Sequence, residues 1–272
     1  QYYEWTDAKT PKVKGDGKAF YGRDSIANYL LLTMNQLGCD LLKVKDGVAI
    51  LNTDKDAYRD LWDNYYVPFV KGYFQSLGRF SSDDVKTGDI IAYTGSTVSS
   101  MYFPSQIEND NGKTKKVSAI VRNAPVAADG NNSLIQQGAG MSIVKSDDTE
   151  DYAASIFLKW FTQTDNNLEF TLKSSYLPVR KDANSMEAID AAIEREDIDV
   201  DEHSYAMIEN FMDSFNKSTF YSYPAFKNSS AVRKVLDYDF SDMATADAKA
   251  IEKKVKDKGV SREKAAAPYV SD

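Results

Sequence analysis

The apolar and polar positions form their clearest pattern between residues 136 and 182. The glycine-rich loop 138–140 leaves backbone N–H groups free to lie against a small polar ligand. The apolar run 141–144 predicts a short buried strand. Asp147 then begins an amphipathic helix, and the Tyr-Leu-Pro sequence at 176–178 predicts extended chain. The apolar stripe of that helix comprises Tyr152, Ala153, Ile156, Phe157, Trp160 and Phe161.

Turn and cap signals predict the elements of the first hundred residues. A strand over 19–21 precedes Asp24, whose side chain is a good N-cap for a helix over 25–37. A second strand over 90–93 delivers the hydroxyl-rich loop 94–97 at its carboxyl end, where open α/β sheets bind ligands. Ser96 and Thr97 are equally suited to an ordinary helix cap. The other elements predicted here are a hairpin over 41–45 and 48–51, a helix from Asp54 that Pro68 kinks or breaks, and a short helix from Ser81.

The remaining elements follow from the same signals. They are a strand over 116–122, a polar connector over 125–133, helices over 185–194 and 202–215, a helix through Val232 and Leu236, and an exposed C-terminal helix that frays after Gly259. Arg233 lies near the start of its helix, where a positive charge opposes the helix dipole. An anion or a carboxylate from elsewhere is therefore expected beside it.

Composition excludes several classes of function. The net charge of −8 over 272 residues lacks the basic footprint that nucleic-acid binding needs. One cysteine, Cys39, allows no internal disulfide, and no apolar run is long enough to span a membrane. One histidine, His203, has no metal-ligand spacing around it, and no catalytic constellation can be assembled. The sequence therefore predicts a binding protein without a metal, cofactor or catalytic residue.

Three segments together resemble a known family. They are GDIIAYTGSTVSS (88–100), the loop-strand-helix-YLPV segment within 136–182, and AFKNSSAVRKVLDYDF (225–240). In order and spacing they are similar to extracellular solute-binding proteins of bacterial ABC importers, from the group that binds sugars and glycerol 3-phosphate. The similarity extends over nearly the whole chain except its last two dozen residues.

The resemblance implies a two-lobed α/β fold of the type II periplasmic-binding-protein kind. Residues 1–125 would form the first part of the C-terminal lobe, 126–185 a hinge crossing and a return segment of the N-terminal lobe, and 186–272 the C-terminal helices and tail. Most of the N-terminal lobe would then lie outside this chain. The implied protein is an extracytoplasmic monomer, periplasmic or lipid-anchored, that delivers a small solute to the permease subunits of an ABC transporter.

The resemblance also implies a ligand site in the cleft between the lobes. The candidate ligand-binding residues are Asp24, Asn28, Gly95, Ser96, Thr97, Gln137, Gly138, Ala139, Tyr176, Phe226, Ser229 and Arg233. Their hydroxyl, amide and aromatic groups favour a carbohydrate-type ligand.

Two alternatives stay open at this point. Glycerol-3-phosphate-binding proteins are similar to this chain at Ser96, Gly138, Tyr176 and Arg233, and Arg is suited to bidentate contact with phosphate. A phosphoester ligand is therefore the first alternative. The second is a plain interaction domain, in which these four residues would lie far apart.

Overall fold

The structure is a computed structural model that describes residues 17–52, 54–108, 114–215 and 217–271. Within these ranges, α-helices are combined with four separate pairs of short strands. Two pairs are antiparallel hairpins, and two are parallel pairs that join segments distant in the sequence. The fold is α/β, as the sequence resemblance implies.

The described strands form a simple set of pairs. They are β1 (Tyr21–Arg23), β2 (Leu42–Lys45), β3 (Val48–Leu51), β4 (Ala92–Thr94), β5 (Gln106–Glu108), β6 (Thr114–Lys116), β7 (Ser133–Ile135) and β8 (Thr219–Tyr221). β1 pairs with β4 and β7 with β8 in parallel, whereas β2 with β3 and β5 with β6 are antiparallel.

The described α-helices vary widely in length. They are α1 (Ile26–Gln36), α2 (Lys55–Leu61), α3 (Val67–Val70), α4 (Ser81–Lys86), α5 (Asp148–Phe161), α6 (Thr164–Ser174), α7 (Met186–Glu196), α8 (Glu202–Phe215), α9 (Ser229–Lys258) and α10 (Arg262–Val270). A π-helical turn (Trp62–Tyr66) connects α2 to α3, and 3-10 turns cover Thr97–Tyr102 and Lys181–Ala183. Of the helices described, none combines the length and the apolar character that a membrane-spanning segment needs.

Several local predictions are confirmed. Asp46 and Gly47 turn the β2–β3 hairpin with positive φ angles of 52° and 76°, the conformation that an Asp-Gly turn favours. Asp54 caps α2, because its carboxylate accepts the backbone N–H groups of Asp56 and Ala57 at 3.0 and 3.1 Å. These elements follow from short-range side-chain chemistry.

The predicted disturbance at Pro68 takes the form of the π-helical turn that precedes it. Proline has no N–H and clashes with the preceding helical turn, and a π-helical turn accommodates both effects. Trp62 and Tyr66 stack within this turn with their ring centroids 3.7 Å apart. Tyr65 and Tyr66 are buried, so this aromatic cluster belongs to the core, as the sequence favours.

The larger core lies between α1, the α2–α3 segment, α9 and α10. The prediction of an exposed C-terminal helix that frays after Gly259 is wrong. Instead, α9 continues to Gly259, whose φ of 62° ends the helix, and α10 packs back against α9. Ile251, Ala265 and Ala266 are fully buried, because small and apolar residues recur on the inner faces of these two helices. A second core is shared by α6, α7 and α8.

Two predictions for the middle of the chain are also wrong. The run 141–144 forms no strand, and Val144 is 85% exposed. Helix α5 forms and Asp147 caps it, but none of its residues is buried. Within its apolar stripe Phe161 is half-buried against Phe170, with ring centroids 5.1 Å apart, and the other stripe residues are exposed. The strand predicted over 116–122 ends at Lys116, where pairing with β5 stops.

Candidate functional site

The carboxyl ends of the two parallel strand pairs carry most of the predicted site. Arg23 of β1 pairs with Thr94 of β4, so Asp24 and Gly95 follow at the same edge. Ile135 of β7 pairs with Tyr221 of β8, and the backbone N–H of Gln136 donates to the Tyr221 carbonyl at 2.7 Å. The parallel pairs therefore bring residues 24–28, 94–97, 136–140 and 222–229 towards the beginning of α1.

The beginning of α1 is capped from two directions. Ser25 is its N-cap in the left-handed conformation, with φ 50° and ψ 89°, and its Oγ accepts from the Asn28 N–H at 3.4 Å. Asp237 of α9 reaches the same end. Its Oδ1 accepts from the Ala27 N–H at 2.8 Å and from Ser25 Oγ at 2.9 Å. A carboxylate distant in sequence thus satisfies a free donor of the helix terminus.

Arg233, one turn before Asp237, completes this cluster. Its Nη2 donates to Asn28 Oδ1 at 2.6 Å and to Ser25 Oγ at 3.2 Å, and its Nε lies 4.0 Å from Asp237 Oδ2. The guanidinium carbon lies 5.8 Å from the centroid of the Tyr223 ring. The expected carboxylate beside Arg233 is present, and it is Asp237.

Asn28 connects the arginine to the glycine-rich loop. Its Nδ2 donates to Gln137 Oε1 at 2.8 Å while its Oδ1 accepts from Arg233. The structure therefore joins three predicted site residues in one hydrogen-bond network. Gly138 follows directly, and a Cβ placed there would meet no atom within 4 Å. Protein packing does not require glycine at this position, and the exposed neighbouring Ala139 extends the same open surface.

Asp24 lies beside this network but does not cap α1 as predicted. Ser25 takes that position, while Asp24 Oδ1 accepts from the Ser81 N–H at 2.8 Å. A Cβ on Gly95 would lie 3.0 Å from Asp24 Oδ2 and 2.7 Å from Ser99 Oγ, so glycine allows the two segments to approach. Burial raises the pKa of Asp24 above its usual value, and the hydrogen bond from Ser81 opposes this increase.

Ser96 and Thr97 lie at the start of the 3-10 turn that follows β4. Ser96 is exposed, and its side chain makes no cap hydrogen bond, so the ordinary capping role is absent. The Ser96 and Thr97 carbonyls accept from the Ser99 and Ser100 hydroxyls at 2.6 and 2.8 Å. These bonds leave the side chain of Ser96 open to solvent beside Gly95.

Phe226 and Ser229 contact Tyr223, whose ring lies beside Arg233. The Tyr223 hydroxyl donates to the Ser229 carbonyl at 3.0 Å, and the Tyr223 and Phe226 rings meet edge to face at 5.8 Å. Phe226 also packs against the larger core. These contacts fix the ring of Tyr223 under Arg233, so Phe226 and Ser229 contribute by positioning their neighbours.

Tyr176 stands apart from this network. Its ring lies 5.9 Å from that of Phe170, and no hydrogen bond or ring contact in the described chain joins it to Arg233. The adjacent Ser175 donates to Ser204 Oγ at 3.3 Å, and Ser204 approaches Ser100 at 3.4 Å. Ser204 thus links the residue before Tyr176 to the 3-10 turn that follows β4.

Ser25 and Asp237 are not among the site residues predicted from the sequence. Their only signals are local: Ser25 follows Asp24, and Asp237 stands four positions after Arg233, the spacing of an ion pair on one helix face. Among the described residues, no group of three or more His, Cys, Asp or Glu side chains is arranged to hold a metal ion. The network consists of amide, hydroxyl and guanidinium groups together with the carboxylate of Asp237, and such groups form hydrogen bonds with polar solutes.

Comparisons with known proteins identify the fold and the family of the chain. Among solved structures, the cyclic alpha-maltosyl-1,6-maltose binding protein from Arthrobacter globiformis matches with a TM-score of 0.52 at 18% sequence identity. The match covers 89% of this chain and 61% of that protein, so the chain spans less than two thirds of its length. A search of curated proteins gives no match. The model of the family described as bacterial extracellular solute-binding protein matches residues 3–196, well over half of the sequence. The chain therefore belongs to the bacterial extracellular solute-binding protein family.

Proposed function

We propose that this protein is the solute-binding component of an ABC transporter and that it captures an uncharged, carbohydrate-type solute. The observation that carries the proposal is the Asn28–Gln137–Arg233 network beside the open loop at Gly138. The name of the structural neighbour, a maltosyl-maltose binding protein, supports a saccharide ligand.

The chemistry of the network suits sugar hydroxyls. Each amide of Asn28 and Gln137 has both donor and acceptor atoms, as a sugar hydroxyl has. The hydrogen bonds of Arg233 within the described chain use Nη2, so Nη1 has donors left for a solute. Tyr223 offers an aromatic face next to these groups, although Arg233 already covers part of it.

The apolar surface around α5 supports the proposed lobe organisation. Tyr152, Phe157 and Trp160 are 68, 51 and 50% exposed, and an apolar hollow of about 480 Å³ lies between α5 and residues 141–144. Large apolar residues grouped in this way mark a surface that meets another part of a protein. Residues 126–185 would accordingly form the hinge crossing and return segment. The remaining described residues would belong to the lobe that faces them across the cleft.

In this proposal the solute is bound outside the cytoplasm by a monomer that is either lipid-anchored or free in the periplasm. Closure of two lobes around the solute then creates the surface that the permease subunits recognise. Glycerol 3-phosphate is the competing ligand, because Arg233 lies within the network.

Calorimetric titration of the protein, in the longest form that its gene encodes, tests this proposal. The ligands are maltose, linear and cyclic maltosaccharides, and glycerol 3-phosphate. We expect saturable heat with a saccharide, weakened about tenfold in Asn28→Ala and in Gln137→Ala through loss of hydrogen bonds. Asn64→Ala is the matched control, because Asn64 is exposed and its side chain, among the described residues, donates to the carbonyl of Asp60 four residues earlier.

Two results would contradict the proposal. One is saccharide binding that is as tight in Asn28→Ala as in Asn64→Ala. The other is saturable binding of glycerol 3-phosphate that is lost in Arg233→Ala, with no heat from any saccharide. The second result would establish the phosphoester ligand in place of the carbohydrate.

A further inference from the structure

We propose that Asp237 sets the charge selectivity of the solute site, because its carboxylate occupies the place where an anionic ligand would bind. The inference rests on the proposed function, since it concerns the same site. It assigns a role to a residue that does not have to contact the solute. Asp237 is therefore a specificity-determining residue that acts through its neighbours.

The beginning of α1 and Arg233 together would otherwise form an anion site. A helix N-terminus presents free N–H groups and partial positive charge, and a guanidinium adds charged donors. Arg233 Nη2 lies 3.2 Å from Ser25 Oγ, so the guanidinium and the helix terminus meet at one point. A phosphate or sulfate is the usual partner for such a pair.

Asp237 already occupies that point. Its Oδ1 accepts from one backbone N–H of α1, that of Ala27 at 2.8 Å, and from the hydroxyl of the N-cap residue Ser25 at 2.9 Å. Its Oδ2 faces Arg233 Nε at 4.0 Å. The carboxylate thus takes the donors that a phosphate oxygen would use.

The Arg233–Asp237 ion pair is partly buried, so the negative charge of Asp237 can affect the binding of an anion. The side chains of Arg233 and Asp237 are 23 and 26% exposed, so solvent screens them less than a surface pair. Their opposite charges offset each other, and an incoming anion would meet the negative charge of Asp237. An uncharged solute meets no such repulsion and can use the donors of Arg233 that Asp237 leaves free.

The test is Asp237→Asn, which removes the charge but keeps an oxygen that can accept from Ala27 N. Asp239→Asn is the matched control, because Asp239 lies exposed on the same helix and its substitution changes the net charge from −8 by the same amount. Inorganic phosphate and glycerol 3-phosphate are titrated calorimetrically at low ionic strength. Circular dichroism and thermal unfolding of each variant check that it is folded.

We expect Asp237→Asn to bind phosphate at least tenfold more tightly than the wild-type chain or Asp239→Asn. The gain should disappear when Arg233→Gln is added to Asp237→Asn and should decrease with salt. Folded Asp237→Asn that binds phosphate no better than Asp239→Asn would overturn the proposal. Tight phosphate binding by the wild-type chain would overturn it as well.

Two further comparisons keep the result interpretable. If Asp237→Asn does not fold, Asp237→Ser replaces it with the same expected gain, and the wild-type titration decides independently of both variants. Maltosaccharides are titrated separately. Absence of saccharide binding throughout, together with a phosphate gain in Asp237→Asn, would contradict the carbohydrate ligand but leave the role of Asp237 intact.

Discussion

Ser25 provides a direct test of the geometry at the beginning of α1. Its φ of 50° places the backbone of Ser25 in the left-handed region. This conformation costs about 1 kcal/mol for residues other than glycine, because the β-carbon comes too close to the following carbonyl oxygen. Three contacts hold it there: Ser25 Oγ donates to Asp237 and accepts from Arg233 and from the Asn28 N–H. Ser25→Ala removes all three and keeps the strain, so we expect a loss of about 2 to 3 kcal/mol in unfolding free energy. Ser25→Gly removes the same contacts but also the strain.

The informative quantity is the difference in unfolding free energy between the glycine and the alanine variant at one position. Ser185 is the control position, because it caps α7 through one bond to Ala188 N at 3.2 Å and has a φ of −148°. At Ser185 glycine exceeds alanine in stability by the ordinary cap difference, which is several tenths of a kcal/mol. At Ser25 we expect a further advantage of about 1 kcal/mol from relief of strain. Urea unfolding of the four variants measures both differences, and equal differences at the two positions would refute the left-handed assignment of Ser25.

Two further predictions concern the same region of the chain. Gly95→Ala should lower the unfolding free energy by about 1 to 3 kcal/mol in urea titrations, because its Cβ would lie 2.7 Å from Ser99 Oγ and 3.0 Å from Asp24 Oδ2; unchanged stability would contradict this close approach. Burial raises the pKa of Tyr221 from 10.0 to about 12, so its contribution to stability is complete below pH 10 and is lost as pH rises towards 12. Tyr221→Phe should reduce that alkaline loss of stability. At neutral pH it should change the unfolding free energy by less than about 1 kcal/mol, because the hydroxyl has no hydrogen-bond partner in the described chain. An unaltered alkaline unfolding profile would argue against the raised pKa of Tyr221.

Elements defined by short-range chemistry are predictable from the sequence. The Asp-Gly turn of the β2–β3 hairpin and the caps at Asp54, Asp147 and Ser185 depend on groups within three residues of each other. Such signals do not require knowledge of the tertiary structure. The bounds of α8 also agree with the prediction, which was made from the helical spacing of its apolar residues.

Burial was harder to predict, because periodicity shows that a face is apolar without showing what covers it. The stripe of α5 has the spacing of a core-facing helix, yet its residues other than the half-buried Phe161 are exposed. The C-terminal segment shows the opposite case. Its Lys, Glu and Ala content indicates an exposed helix, but Ala265 and Ala266 are small enough for α10 to pack closely on α9.

The same distinction between local and distant contacts explains the site. The resemblance pointed to Asn28, Gln137 and Arg233 as candidate site residues, and the structure joins them. Asp237 escaped notice because its main partners, Ser25 and Ala27, lie more than two hundred positions away. The ligand question depends on this missed residue. Arg233 considered alone favours a phosphoester, whereas Arg233 facing a carboxylate that already caps α1 favours a neutral solute. The contact of Asp237 with the beginning of α1 therefore adds to the preference for a carbohydrate that the hydroxyl, amide and aromatic groups already indicate, and the sequence of either segment alone does not contain this contact.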